Sequence, residues 1–256
     1  MLINMREVEI SNEAYDIIRD IHGHADELEA LLQSLGYVEN NGNYGSPHGR
    51  KAVFLGDYID RGPKVRRSLE IVRAMIDSGT ALGIMGNHEL NALRYHTKDR
   101  DGYFMRAHYG SKLAQHAATL DQFGKKHHTE LLDYVEWFST LPLSIDLGGI
   151  RVAHACWHPA KIELVRALGP LSGAMLEACS QKGTAVFDAI DTLLCGLEAK
   201  LPEGESFETA DGQERHDIRI RWWESSGSIQ TNDQYVFPPN PAIRPSPIQH
   251  LSLIHI

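Results

Sequence analysis

Candidate β-strands in this sequence end repeatedly in side chains that can bind a metal ion. The strands are predicted from short apolar runs at 15–18, 52–55, 81–85 and 143–153. The polar side chains that follow them are, in chain order, Asp20 with His22, Asp57, Asn87 with His88, and His154. Because strand ends in open α/β sheets feed loops at one edge, we expect these groups to converge although they are far apart in sequence.

Helical patterns alternate with these strands, which favours a layered α/β fold. The first two helical patterns lie at 26–35 and 65–76, between candidate strands. The later helical patterns lie at 111–120, 129–139 and 174–196, and a further strand is predicted at 218–222. Gly148 and Gly149 interrupt the run at 143–153, which predicts a hairpin with a two-residue turn.

The chemistry of the strand-end residues favours a catalytic metal site. Carboxylate and amide oxygens mixed with imidazoles suit Mn²⁺, Fe or Zn²⁺ better than the all-oxygen sets of Ca²⁺ or the all-sulfur sets of structural zinc. We take Mn²⁺ as the first choice and Fe or Zn²⁺ as alternatives. The sequence also contains 14 histidines.

Charge and cysteine usage narrow the class of protein. The formal net charge of −9 over 256 residues argues against stable, sequence-independent binding of nucleic acid. No stretch is apolar enough to cross a membrane. The three cysteines are odd in number and widely spaced, which is typical of reduced thiols, so we predict a cytoplasmic protein.

Four ordered motifs resemble the signature of the calcineurin-like metallophosphoesterases, and most closely their bacterial phosphoprotein-phosphatase-like members. The motifs are Asp20-x-His22-Gly23, Gly56-Asp57-x-x-Asp60-Arg61-Gly62, Gly86-Asn87-His88-Glu89 and Val152-Ala153-His154-Ala155. The resemblance implies an α/β fold of two facing mixed β-sheets flanked by helices, with the site on loops at one edge.

The resemblance implies a site for two divalent metal ions. Asp20 and His22 would bind one ion, Asp57 would bridge both, and Asn87 with His154 would bind the second. A carboxylate suits the bridge because two close cations repel and need shared negative charge. In this mechanism a metal-bridging hydroxide attacks phosphorus directly.

The remaining motif residues are assigned to the substrate and the leaving group by the same resemblance. His88 would protonate the leaving alkoxide, and Asp60 would hold that imidazole charged and oriented. Arg61 would bind the phosphate oxygens with its planar guanidinium, and Asn87 would also contact the substrate.

We therefore predict an enzyme that hydrolyses a phosphomonoester or a phosphoanhydride. A phosphoprotein is the first choice of substrate, and a small phosphate ester or dinucleotide is the alternative, as in symmetrical cleavage of dinucleoside tetraphosphates. An inactive metal-binding or interaction module is a third interpretation. Two departures from the family motivate it: Arg19 replaces the usual Gly before the first Asp, and no Gly-His follows His154 to supply a last metal ligand.

Three segments are predicted along the chain. Residues 1–237 form the metallophosphoesterase domain, which we expect to be truncated at its C-terminus, and residues 238–250 form a Pro-rich tail. The last six residues, 251–256, match a translation of the DNA end used in transposon-based sequencing libraries. We therefore expect them not to be natural sequence.

Overall fold

The computed structural model describes residues 14–201, 203–208 and 214–224, together with 231, 234 and 236. The strands are β1 (Tyr15–Ile18), β2 (Val38–Asn40), β3 (Asn43–Gly45), β4 (Lys51–Phe54), β5 (Ala81–Gly83), β6 (Ser144–Asp146), β7 (Arg151–Ala153), β8 (Glu198–Lys200), β9 (Phe207–Glu208), β10 (Glu214–Arg215) and β11 (Asp217–Arg219). The helices are α1 (Ala25–Ser34), α2 (Val65–Asp77), α3 (Asn87–His96), α4 (Gly110–Phe123), α5 (His128–Phe138), α6 (Pro159–Leu168), α7 (Gly173–Ala178) and α8 (Ala185–Cys195).

A parallel three-stranded sheet in the order β1-β4-β5 lies at the centre of the fold. Its middle strand is buried on both faces: Val53 on one face and Phe54 on the other are fully buried. Parallel strands need crossover connections, which here include α1 between β1 and β4 and α2 between β4 and β5. The carboxyl ends of β1, β4 and β5 therefore lie at the same edge of the sheet.

The two faces of this sheet pack against different partners. Phe54 belongs to the main core, which includes apolar residues of α1, α2, α3 and α5. Val53 and Ile84 instead pack against Leu147 and Val152, which flank or belong to the β6–β7 hairpin. The order helices, parallel sheet, hairpin confirms the predicted α/β fold.

The sheets are smaller than the two mixed sheets implied by the resemblance. Within the described residues, β6 pairs with β7 and the other antiparallel strands likewise form pairs, so the hydrogen-bonded sheets are one of three strands and four of two. The hairpin faces the parallel sheet through side chains rather than extending it. Its turn is as predicted, since Leu147 N–H donates to the Ile150 carbonyl across Gly148 and Gly149.

Two predicted elements are corrected. The helical pattern at 174–196 forms two helices, α7 and α8, with Gly183 at a positive φ of 87° between them. A continuous helix cannot pass through that conformation. The strand predicted at 218–222 is β11, which ends at Arg219.

Other predictions fall partly or wholly outside the described residues. These are the first 13 residues of the domain, the Pro-rich tail at 238–250 and the six terminal residues at 251–256. All three cysteines lie in the described part and are free thiols. No helix in that part is both long and apolar enough to span a membrane.

Two glycines allow the loops after β4 and β5 to touch. A Cβ atom on Gly56, whose φ is +83°, would overlap the backbone nitrogen of Gly86. A Cβ atom on Gly86 would overlap the Asp57 carboxylate. Only residues without a side chain permit this approach, which explains the glycines before Asp57 and Asn87.

The carboxylate of Glu89 connects the same two loops through hydrogen bonds. Its Oε2 accepts the backbone N–H groups of Asp57 at 2.8 Å and Gly86 at 2.9 Å, and its Oε1 accepts that of Tyr58 at 2.8 Å. Glu89 is fully buried, and the Gly86 contact satisfies the N–H of the residue that precedes α3. Three N–H groups that would otherwise be orphaned are satisfied by one side chain.

We expect Glu89→Gln to lower the free energy of unfolding by about 1–3 kcal/mol, because an amide has one acceptor oxygen and leaves a buried N–H unpaired. Denaturant unfolding measures the change. Glu136→Gln on the exposed face of α5 is the control and should change it by less than about 0.5 kcal/mol. Equal free energies of unfolding for the two variants would show that the Glu89 carboxylate does not stabilise the two loops.

Candidate metal centre and active site

The predicted site residues meet at a cleft of about 390 Å³ at the carboxyl edge of the parallel sheet. Those lining it are Asp20, Asp57, Arg61, Asn87, His88 and His154. His22 and Asp60 are buried beside these residues and contact them without lining the cleft. The expected convergence of strand-end residues therefore occurs in the structure.

Backbone strain is concentrated in the same loops. Six described residues other than glycine have a positive φ, and one is Asn41 in the β2–β3 turn. The other five are Asp20, His22, Asp57, Asp60 and Arg61, with φ between 45° and 69°. Such conformations are costly for residues with a side chain and persist where the surrounding structure enforces them, as at functional sites.

Two histidines present equivalent nitrogens to the cleft. The Nδ1–H of His22 donates to the Ile59 carbonyl at 2.9 Å, and that of His154 donates to the Leu55 carbonyl at 2.5 Å. A backbone carbonyl can only accept, so Nδ1 carries a proton in both rings, and Nε2 is the nitrogen that a neutral ring would offer to a metal. Burial lowers the pKa of His22, which favours the neutral ring that binds metals.

The Asp57 carboxylate lies between these two imidazoles. Its Oδ2 is 3.5 Å from His22 Nε2, and its Oδ1 is 3.6 Å from His154 Nε2. The Asn87 Oδ1 lies 3.1 Å from the same nitrogen of His154. Oxygen and nitrogen atoms of types that bind metals thus converge on each side of one carboxylate, an arrangement that a cation on each side would stabilise.

The grouping of the ligand atoms differs from the one implied by the resemblance. Two triads have ligand atoms within 4.8 Å of one another: His22, Asp57 and His88, and Asp20, Asp57 and His154. Asp57 belongs to both, in agreement with a bridge. Asp20, however, groups with His154 rather than with His22.

Arg19 engages the Asp20 carboxylate. Its Nε and Nη2 donate to Asp20 Oδ2 at 2.9 and 2.6 Å. The Arg19 side chain is 67% exposed and also lines the cleft. The replacement of the family's Gly by Arg therefore places a cation directly on one candidate metal ligand.

His88 and Asp60 form a buried pair. The Nδ1–H of His88 donates to Asp60 Oδ2 at 2.6 Å, and its Nε2 lies 4.0 Å from Asp57 Oδ2 on the cleft side. Burial alone would lower the pKa of His88, but the Asp60 hydrogen bond and the negative charge of Asp57 outweigh it and raise that pKa. The raised pKa favours the protonated ring that a proton donor requires.

The second oxygen of Asp60 accepts hydrogen bonds from two residues that are not among the predicted site residues. His116 and Thr119 on α4 both donate to Asp60 Oδ1, at 2.8 and 2.7 Å. Burial opposes ionisation, yet the hydrogen bonds from His116, His88 and Thr119 hold the pKa of Asp60 well below its usual range. The available sequence signal was the pairing of a histidine and a threonine three positions apart on one helical face.

The far wall of the cleft comes from the later part of the chain. It includes Arg219, Trp222 and Trp223. The Trp222 indole N–H donates to the Ala155 carbonyl at 2.8 Å, which attaches this wall to the residue after His154. Trp223 is 50% exposed and contacts Trp222 edge to face, at 5.6 Å between ring centroids.

The cysteines near the cleft are poor nucleophiles. Burial raises the pKa of Cys156 to about 11, and burial together with the charge of Asp191 raises that of Cys195 to about 12. Thiols at these pKa values carry almost no thiolate at neutral pH. Cys156 is itself fully buried.

Comparison with known bacterial proteins gives partial-length similarities. The chain is 37% identical over 145 residues to the bis(5'-nucleosyl)-tetraphosphatase PrpE [asymmetrical] of Bacillus subtilis strain 168, covering 56% of this chain and 57% of that protein. It is 42% identical over 81 residues to the protein of the same name in Halalkalibacterium halodurans, covering 32% and 33%. The chain therefore spans little more than half the length of such relatives.

A solved structure and a family model were also matched. The cold-active protein-tyrosine phosphatase of a psychrophilic Shewanella species aligns with a TM-score of 0.40 at 20% identity, over 62% of this chain and 50% of that chain. The family model described as calcineurin-like phosphoesterase matches residues 17–177, which include all eight predicted site residues. The chain belongs to the calcineurin-like phosphoesterase family.

Proposed function

We propose that this chain is a two-metal-dependent hydrolase of phosphoric esters or anhydrides. The observation that carries the proposal is the Asp57 carboxylate, with one oxygen facing His22 and the other facing His154. A buried carboxylate to which no side chain among the described residues donates a hydrogen bond is stabilised by bound cations. Membership of the calcineurin-like phosphoesterase family supports the same assignment.

The donor set fits two divalent ions. Asp57 would be shared, His22 would hold one ion, and Asn87 with His154 would hold the other, with Asp20 completing the set. Bound ions would activate a water and neutralise charge during displacement at phosphorus. Mixed oxygen and imidazole donors favour Mn²⁺, with Fe or Zn²⁺ as alternatives.

The chain's own residues supply the remaining roles. Arg61 is exposed at the cleft and, within the described residues, has no hydrogen bond or ion pair, so its guanidinium is available to phosphate oxygens. Asn87 is close enough to the metal ligands to contact substrate as well. His88 would give a proton from Nε2 to the leaving oxygen while Asp60 holds its Nδ1–H.

For the substrate we infer a phosphoanhydride of the dinucleoside polyphosphate class. The relatives are named for asymmetrical cleavage of bis(5'-nucleosyl) tetraphosphates, whereas the sequence motifs favour a phosphoprotein first and symmetrical cleavage second. The far wall supports a nucleotide, because the half-exposed Trp223 offers an aromatic face and Arg219 a positive charge. Phosphoprotein hydrolysis remains the second candidate, since Arg61 and His88 would serve a phosphomonoester equally.

Product analysis tests the function. With Mn²⁺ present, the chain should hydrolyse diadenosine tetraphosphate to ATP and AMP, resolved by ion-exchange chromatography; two molecules of ADP would indicate symmetrical cleavage. A phosphopeptide and an aryl phosphate run in parallel test the second candidate. If none of these is hydrolysed faster than by Asp57→Asn, the chain is the inactive metal-binding module instead.

The bridging role predicts unequal effects of two similar substitutions. Asp57→Asn should lower turnover by more than about 100-fold and remove bound Mn²⁺ from both positions, because its charge serves two cations. Asp20→Asn should lower turnover by about 10-fold, and the protein should retain one bound ion. Metal content by mass spectrometry separates the two, and equal metal content in Asp57→Asn and the unmutated chain would rule out the shared carboxylate.

Arg19 should weaken metal binding. Arg19→Met removes the cation that holds Asp20 Oδ2, and we expect it to lower the Kd for Mn²⁺ by about 3- to 10-fold, a modest effect for an exposed pair. Arg19→Lys keeps the charge and should not improve binding. Calorimetric titration without substrate measures both, with Arg100→Met as a control at a distant exposed ion pair. An unchanged Kd in Arg19→Met would show that Arg19 does not compete with the metal.

A further inference from the structure

Helix α4 (Gly110–Phe123) turns a polar face toward the loop that follows β4. Its members at helical spacing are Gln115, His116, Thr119 and Gln122. Polar residues on one helical face usually meet solvent. Here His116 is 4% exposed and Thr119 is fully buried, so this polar face is part of the interior.

Two members of this face hold Asp60 from the side opposite His88. His116 Nδ1–H and Thr119 Oγ1–H both donate to Asp60 Oδ1, while His88 Nδ1–H donates to Oδ2. The Thr119 hydroxyl also accepts the Asp60 backbone N–H at 3.1 Å. Main chain and side chain of Asp60 are thus both fixed by one turn of α4.

The neighbouring members of the face fix the rest of the loop. Gln122 donates to the Gly62 carbonyl at 2.9 Å and accepts the Val65 N–H at 2.5 Å. The Gln115 amide lies 3.3 Å from His88 Nε2. A further histidine contacts His116 on the side away from Asp60: His96 Nε2 lies 3.2 Å from His116 Nε2.

A carboxylate bound at one oxygen only is free to rotate about its terminal bond. With both oxygens of Asp60 occupied, that rotation would break two or three buried hydrogen bonds, each of which is costly to leave unmade. The direction of the Asp60 to His88 bond is therefore set by α4 as well as by the loop. The Asp60 φ of +69° makes this external support more important, because the loop backbone is itself strained.

We propose that His116 and Thr119 are positioning residues for the proton donor, acting on His88 through Asp60. This inference rests on the proposed function. Neither residue touches the substrate or lines the cleft, so their effect should appear in proton transfer rather than in binding. Proton donation matters most for poor leaving groups, and a positioned acid contributes roughly 10²- to 10⁴-fold there.

Thr119→Val is the primary test, because it removes the hydroxyl and keeps the shape. We expect kcat on an alkyl phosphate to fall by about 10-fold, a part of the contribution of the acid, with less than about a 2-fold fall on 4-nitrophenyl phosphate. KM and bound Mn²⁺ should stay unchanged. Thr119→Ser restores the hydroxyl and should recover kcat to within about 2-fold.

His116→Asn gives an independent second test, since the amide nitrogen of Asn can replace Nδ1, whereas His116→Phe cannot donate at all. We expect Asn to retain most of the activity on alkyl phosphate and Phe to behave like Thr119→Val. Thr140→Val is the matched control, because that hydroxyl bonds to the Trp137 carbonyl away from the site. Equal losses on both leaving groups, or no loss in Thr119→Val, would overturn the proposal.

Failure of the proposed function is distinguishable from failure of this inference. If the unmutated chain hydrolyses no phosphate ester or anhydride, the proposed function fails. Positioning is then read from the nitrogen-bound ring protons of His88 in NMR spectra, assigned with His88→Ala. Loss or broadening of the Nδ1–H signal in Thr119→Val supports the positioning role, and an unchanged signal overturns it.

Discussion

The site depends first on the buried carboxylate of Glu89, which holds two backbone loops in contact. The N–H groups of Asp57, Tyr58 and Gly86 all donate to it. Burial and the nearby charge of Asp57 raise the pKa of Glu89, because both disfavour its ionised form. The result is a junction at which the loops after β4 and β5 bring their side chains to one point.

Charge is unevenly compensated around this junction. Asp60 is surrounded by donors from His88, His116 and Thr119, so its negative charge is satisfied within the protein. Asp57 is also buried and accepts the His88 backbone N–H, and its carboxylate lies 3.5, 3.6 and 4.0 Å from ring nitrogens of His22, His154 and His88. Among the described residues no side chain donates a hydrogen bond to this carboxylate, so its charge is expected to attract cations. The contrast between the two carboxylates is the physical basis for assigning one to metal and the other to proton transfer.

Many of the candidate site residues could be predicted from the sequence, because the patterns that identify them are local. Apolar runs followed at once by Asp, Asn or His identify strand ends, and parallel strands bring their ends to one edge whatever the rest of the fold does. This local pattern predicts a set of site residues that do meet in one cleft: Asp20, Asp57, Asn87, His88 and His154. The glycines at 56 and 86 also follow from local chemistry, since only glycine allows the loops to touch.

The tertiary structure decided the features that depend on residues far apart in sequence. Whether the polar face of α4 meets water or Asp60 depends on how that helix packs, and His116 is separated from Asp60 by 56 positions. The attachment of Trp222 to Ala155 and the separate pairing of β6 with β7 are likewise products of packing. The sequence by itself determined which groups emerge at the sheet edge, because strand ends and motifs are short-range patterns. Which neighbours hold those groups, and so which carboxylate is left for metal, required the fold to bring distant helices and loops together.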